Sequence, residues 1–255
     1  TITGNPQNMI VASFAHLQYA GFLIHLAPAA FIGLIIDYVV IAIAYRKRLG
    51  RIGSGSGPRP RHPHIVFTLL VKSVIVAIAT LVLFILGFPV HLVALGAGAA
   101  LLFTRRIRPE RIYELIDWTM LLLFAGLFVV VGGLQLTGLP ADAVGIIGAA
   151  RLANTAILAV VVAVLSNIVS NVPAVLLFKP IYPMLGGSVH AALVLASAST
   201  LAGNLTVLGS IANLIVVEEA RRRKIAISFA DYVKVGIPVT ILTLAVDIAL
   251  LTYRV

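Results

Sequence analysis

Apolar residues fall in long runs along this chain, near positions 9–26, 28–45, 64–86, 88–104, 118–138, 187–217 and 233–253. At about 1.5 Å of rise per residue, runs of this length predict helices able to cross a bilayer. Residues 152–185 form a further apolar stretch, but Ser166, Asn167, Ser170 and Asn171 interrupt its middle.

Charge orients these runs. Three basic clusters separate them: Arg46, Lys47, Arg48, Arg51, Arg59 and Arg61; then Arg105, Arg106, Arg108 and Arg111; then Arg221, Arg222, Arg223 and Lys224. Short basic loops stay cytoplasmic. Residues 64–86 and 88–104 then cross out and back between the first two clusters, 118–138 goes out, and 187–217 returns to the third. The 152–185 stretch must enter and leave from the outer side, as a re-entrant hairpin whose irregular tip is buried in protein or lines a wet cavity. The Gly/Ser/Pro-rich segment 47–63 reads as a basic cytoplasmic linker. Arg105–Asp117 and Glu218–Asp231 read as short interfacial helices with basic faces.

Composition excludes the soluble alternatives. With 60% hydrophobic and 11% charged residues and a mean hydropathy of +1.08, the chain has more apolar surface than one soluble core can hide. An all-α polytopic membrane protein follows. The formal charge of +10 is confined to segments between apolar runs, so it reports topology rather than a nucleic-acid partner. Cysteine is absent, which removes disulfides, thiolate metal sites and a cysteine nucleophile.

One motif occurs twice. TITGNPQNMIV at Thr1–Val11 aligns without gaps to TVLGSIANLIV at Thr206–Val216, and each copy is followed by an apolar helix carrying a proline and then an aspartate nine residues on: Pro28 and Asp37, then Pro238 and Asp247. On the threading above the two copies have opposite orientation, the arrangement of an inverted-repeat transporter with broken helices at its centre. Residues 1–46 are then the end of a first repeat, 47–63 the linker and 64–255 the second repeat. The second copy is preceded by helices that the first lacks, so the chain reads as the C-terminal part of a longer one.

The chemistry concentrates in two blocks. In Ser166-Asn167-Ile-Val-Ser170-Asn171-Val-Pro173, two Ser-Asn pairs lie one helical turn apart, and Pro173 disfavours helix at Val172. Free amides there attract an anion, and freed carbonyls with serine hydroxyls suit a small cation. The second block runs through Thr200, Gly203, Asn204, Thr206, Gly209, Ser210 and Asn213. Its glycines and polar side chains predict an unwound helix centre that closes a cavity with the hairpin tip. Thr3, Gly4, Asn5 and Asn8 are the symmetry mate. The plain alternatives are hydrogen bonding between neighbouring helices and a small-residue packing face.

SNIVSNVPAVLLF followed by LAGNLTVLGSIANLIV, with TITGNPQNMIV upstream and IDWTMLLLFAGLFVVVGGL before the hairpin, resembles the ArsB/NhaD-type permeases of the ion transporter superfamily, close to its anion permeases and citrate-transporter-like domains. The resemblance covers nearly the whole chain. It implies secondary transport by an elevator-like movement, two re-entrant hairpins, of which the N-terminal one is absent here, and often a homodimer. By resemblance the site falls on Ser166, Asn167, Ser170, Asn171, Gly203, Asn204, Thr206, Ser210 and Asn213, with Asn5 and Asn8 in the first repeat.

Ionisable residues inside apolar helices are costly. Asp37 and Asp247 are candidates for proton coupling or for structural pairing. Lys72 snorkels toward a helix end; Lys179, in the hairpin's outgoing arm, is placed either to attract an anion or to snorkel outward. His16, His25, His91 and His190 lack metal-ligand spacing. The residues together point to a secondary active transporter of a small anion or oxyacid (arsenite, an inorganic oxyanion or a carboxylate) in the cytoplasmic (inner) membrane, driven by Na+ or H+. Na+/H+ antiport is the alternative. No cofactor is implied beyond a Na+ or H+ at the same site. An enzyme is not: a serine hydrolase would need a base near Ser166 or Ser170, and no nucleotide-binding loop is present.

Overall fold

The structure is a computed structural model that describes all residues except 50–65, 103–115, 117, 140–141, 143–144, 146–147 and 255. The bulk of the linker and most of the Arg105–Asp117 segment lie outside the described residues. Every regular element among the described residues is a helix. In chain order these are α1 (Pro6–Phe14), α2 (Tyr19–Leu49), α3 (Phe67–Ile85), α4 (Val90–Leu102), α5 (Trp118–Leu136), α6 (Ala149–Leu152), α7 (Thr155–Val169), α8 (Asn171–Phe178), α9 (Val189–Ala202), α10 (Ile211–Arg222) and α11 (Phe229–Arg254).

The chain divides into two compact units, residues 1–49 with 126–255, and residues 50–125. In the smaller unit α3 packs on α4, and Gly87, at φ 87°, makes the turn between them. A side chain is disfavoured at that angle, and glycine is not.

In the larger unit α9 is the central helix. It packs against α1, α7, α8 and α11, and every residue from Ala191 to Ser199 is buried. Small side chains make this close approach possible. Outside, the surface is apolar: Phe31 is 68% exposed, Val129 76% and Leu136 91%. Such a surface is unstable in water and fits hydrocarbon, and the helices Tyr19–Arg46, Phe67–Ile85 and Phe229–Tyr253 are long and apolar enough to span it. The chain is thus an all-α, multi-pass membrane protein.

The apolar runs near 9–26 and 28–45 do not correspond to two helices. The chain bends after Phe14, with His16 at φ 52°, and then α2 continues for 31 residues through Pro28. At about 1.5 Å per residue α2 is longer than a bilayer core is thick. Pro238 likewise sits inside α11. Proline costs one backbone bond but need not end a helix held by neighbours, and α2 and α11 pack along each other. They run antiparallel: Gly33 faces Thr243, where a Cβ would stand 3.6 Å from Cγ2, while Asp37, Ile41 and Tyr45, later in α2, share a cavity with Asp231, Val235 and Val239, earlier in α11.

Glu218–Asp231 is not a separate interfacial helix. Glu218 and Glu219 belong to the last turns of α10, where they pair with Arg221, Arg222 and Arg223, and Lys224 at φ 61° ends that helix. Asp231 belongs to α11, whose first turn is capped by Ser228: its Oγ donates to Asp231 Oδ2 at 2.6 Å and accepts from Asp231 N at 3.1 Å.

Candidate functional site

The polar interruption of the 152–185 stretch is a one-residue break. α7 ends at Val169, α8 begins at Asn171, and Ser170 between them has φ 74° and ψ 160°. This backbone region is nearly reserved for glycine and costs roughly 1–3 kcal/mol elsewhere. The break lies one step earlier than Pro173 suggested, and Val172 is helical. Proline in a first helical turn gives up an N–H that has no intrahelical partner there, so Pro173 fits inside α8. The break therefore joins the carbonyl end of α7 to the amide end of α8, and the two helices are in contact. Gln135 of α5 fixes α8 by donating to Leu176 O at 2.8 Å.

The 187–217 run is likewise broken at its centre. α9 stops at Ala202, residues 203–206 are irregular, Val207–Gly209 make one 3-10 turn, and Ser210 is extended before α10. Side chains hold this segment to the break. Asn167 donates to Ala163 O and Ala202 O, both at 3.0 Å, and its Oδ1 lies 3.4 Å from the Thr206 hydroxyl that donates to it. Asn213 donates to Gly203 O at 2.7 Å and Thr206 O at 3.2 Å. Ser210 caps α10 by accepting from Ala212 N at 3.3 Å. The glycines are needed for proximity. A Cβ on Gly209 would stand 2.9 Å from Gly203 O and 3.0 Å from Asn167 Oδ1, and one on Gly203 would stand 3.3 Å from Asn171 Nδ2.

Ser166, Asn167, Ser170, Asn171, Gly203, Thr206, Gly209, Ser210 and Asn213 are thus brought together by the meeting of break and unwound segment. Within this polar knot two groups are buried without a hydrogen-bond partner, Ser166 Oγ and Asn171 Oδ1. Unmade hydrogen bonds of buried groups cost about 1–3 kcal/mol each, so these atoms are candidates to contact a ligand. Asn204 lies at the edge, lining a separate cavity with Asp37.

The first motif copy repeats the backbone of the second. Ile2–Gly4 form a 3-10 turn as Val207–Gly209 do; Asn5 is extended at φ −148° as Ser210 is at φ −149°; and α1 starts at Pro6 where α10 starts at Ile211. Asn8 reaches the knot through α9: Thr200 Oγ1 lies 3.1 Å from Asn8 Oδ1 and 2.8 Å from Ala196 O. Gln7 Nε2 donates to the same hydroxyl at 3.3 Å. The extended Asn5 precedes α1 without a side-chain cap bond.

The two aspartates stand apart from the knot. Asp247 is fully buried and accepts from Ser197 Oγ at 2.6 Å. Lys179 is exposed in the turn after α8, outside the arm itself. Sequence reasoning missed Gln7, Ser197 and Gly236. Gln7 had a signal, as a polar residue inside the first motif copy; the others act through partners distant in sequence.

Relatives give these elements a context. The chain is 33% identical over 276 residues to an uncharacterized transporter of Mycobacterium tuberculosis, covering 100% of this chain and 64% of that protein. It is 27% identical over 322 residues to the silicon efflux transporter of Oryza sativa subsp. japonica, covering 98% of this chain and 66% of that protein. It is 32% identical over 196 residues to a transporter named arsB in Dictyostelium discoideum, covering 72% of this chain and 34% of that protein. No solved structure matches. The chain thus spans just under two thirds of the mycobacterial relative's length, and these relatives carry the names of transporters rather than enzymes. The model of the citrate transporter family matches residues 1–191, α7, α8 and the first motif copy among them, and the chain belongs to that family, CitMHS.

Proposed function

We propose that this chain carries the substrate site of a secondary active transporter for a small anion or oxyacid in the cytoplasmic membrane. The observation that supports the reading most is the pair of unpartnered buried atoms, Ser166 Oγ and Asn171 Oδ1, at the junction of the Ser170 break and the 203–210 segment. A hydroxyl, side-chain amides and the free N-terminal amides of α8 offer donors to oxygen atoms, and the dipole of α8 favours negative charge. Among the described residues no Lys, Arg or His stands in the knot, which suits a partly dehydrated oxyanion or a neutral oxyacid. Arsenite, silicic acid and carboxylates fit this chemistry, and the names of the relatives and the family point the same way.

In this reading α7 and α8 are the two arms of a re-entrant hairpin entering from the outer side, with the three basic clusters cytoplasmic. The antiparallel α2 and α11, with matching internal prolines, and the matching turns of the two motif copies support an inverted repeat. Alternating access follows as an elevator-type movement driven by Na+ or H+, and a homodimer is the expected assembly.

Transport into proteoliposomes of the full-length protein tests the reading. Arsenite, silicic acid, phosphate, sulfate and citrate are offered with and without a Na+ or pH gradient. Gradient-dependent accumulation of one class is expected, lost in Asn171→Ala. Flux that never exceeds equilibrium would mean a passive channel, and Na+/H+ exchange without movement of any of these solutes would mean an antiporter.

A further inference from the structure

One side of the unwound segment faces α11 rather than the hairpin. The carbonyl oxygens of Asn204 and Leu205 lie so close to Gly236 that a Cβ there would stand 2.4 Å and 2.8 Å from them. Neither carbonyl accepts a hydrogen bond from a described residue. Beside them is a cavity of about 310 Å3, lined by Asp37, Tyr45, Asn204, Asp231, Tyr232 and Gly236, with isoleucine and valine completing its wall.

Asp37 sits within the spanning helix α2, and its Oδ1 is buried without a hydrogen-bond partner. An uncompensated charge in such a place is strongly unfavourable. The ion pairs of the described residues lie within α10, and none reaches Asp37. Tyr232 lines the same cavity as Asp37 and Asn204. The cavity thereby abuts the unwound segment at Asn204.

Carboxylates, amide carbonyls and phenol hydroxyls are a set of hard oxygen donors without nitrogen or sulfur, suited to a hard cation. Carbonyls freed by unwinding, at the negative end of a half-helix such as α9, favour a cation further. We propose that this cavity is a sodium site, separate from the knot, in which the Asp37 carboxylate and the Asn204 carbonyl oxygen replace water around the ion, with Asp231 adding negative charge. Asn204 belongs to the segment that shapes the knot, so sodium in the cavity and substrate in the knot bias the same stretch of backbone. The inference rests on the transport reading above and locates its coupling ion.

Equilibrium binding of radioactive sodium to the purified full-length protein, at fixed pH with potassium as background salt, tests it. Saturable binding is expected in the wild type. It weakens about tenfold or more in Asp37→Asn, weakens less in Asp231→Asn, and is partly kept in Asp37→Glu. Asn171→Ala keeps sodium binding while losing stabilisation by the anion. Absence of saturable sodium binding in the wild type, unchanged binding in Asp37→Asn, or equal loss in Asn171→Ala overturns the proposal. If Asp37→Asn does not fold, Asp231→Asn carries the test, since Asp231 is exposed in the first turn of α11. Failure of the transport reading looks different: sodium binding that depends on Asp37 persists, and no anion stabilises the protein.

Discussion

Asn213 donates a hydrogen bond to the carbonyl oxygen of Thr206 at 3.2 Å, and Asn8 makes the same bond to Thr1, also at 3.2 Å. The duplicated motif thus carries one structural device, an asparagine in the helix that closes back over the turn before it. In the second copy Asn213 also holds Gly203 O. Asn213→Ala leaves both carbonyls without that donor and is expected to lose about 1–3 kcal/mol of stability. Asn213→Asp keeps the size without the amide and should lose a similar amount. Thermal unfolding in detergent measures both, and wild-type stability in Asn213→Asp would contradict the role given to the bond.

Gly236 is the point where α11 touches the unwound segment. Gly236→Ala brings a methyl to 2.4 Å from Asn204 O, and the backbone must move. The expected loss is about 1–3 kcal/mol, with transport reduced in the protein that still folds. Gly33→Ala is the control, because its new methyl meets Thr243 Cγ2 at 3.6 Å, an ordinary contact. Equal behaviour of the two variants in unfolding and uptake would contradict the assigned contact.

Ser197 and Asp247 join α9 to α11 through a buried bond of 2.6 Å. A double-mutant cycle with Ser197→Ala and Asp247→Asn should give a coupling of about 1 kcal/mol or more. Additive losses in unfolding measurements would mean that the bond contributes nothing.

Ser170 holds the hairpin break at φ 74° and ψ 160°. Ser170→Gly relieves a strained backbone and is expected to raise stability by about 1 kcal/mol. Ser170→Val should lower it. A melting temperature that falls in Ser170→Gly would show that the serine hydroxyl holds the break together.

How far the sequence discloses this arrangement depends on the range of the interaction concerned. The interruption of the apolar run by Ser166, Asn167, Ser170 and Asn171 is a local signal, and so is the repetition of Thr1–Val11 in Thr206–Val216; both mark real breaks in helices. The position of the hairpin break was displaced because Pro173 restricts its neighbour only when that neighbour cannot enter a first helical turn. Pro28 and Pro238 were equally ambiguous: α2 passes through Pro28 because packing against α11 outweighs one missing bond. Gly236 and Ser197 carry no pattern of their own. One is defined by the carbonyl of Asn204 and the other by the carboxyl of Asp247, contacts that exist only once the helices assemble.

The central claim is that the knot keeps polar atoms unpaired for a ligand, and Ser166→Ala tests it most directly. Ser166 is fully buried and its Oγ has no hydrogen-bond partner, so removing the hydroxyl should leave ligand-free stability within about 0.5 kcal/mol of the wild type or raise it. In the same variant the rise in melting temperature produced by the stabilising oxyanion, oxyacid or carboxylate should shrink or vanish. A variant that loses stability without ligand yet keeps the full ligand-induced rise would contradict the account, because the hydroxyl would then serve the fold and not the solute.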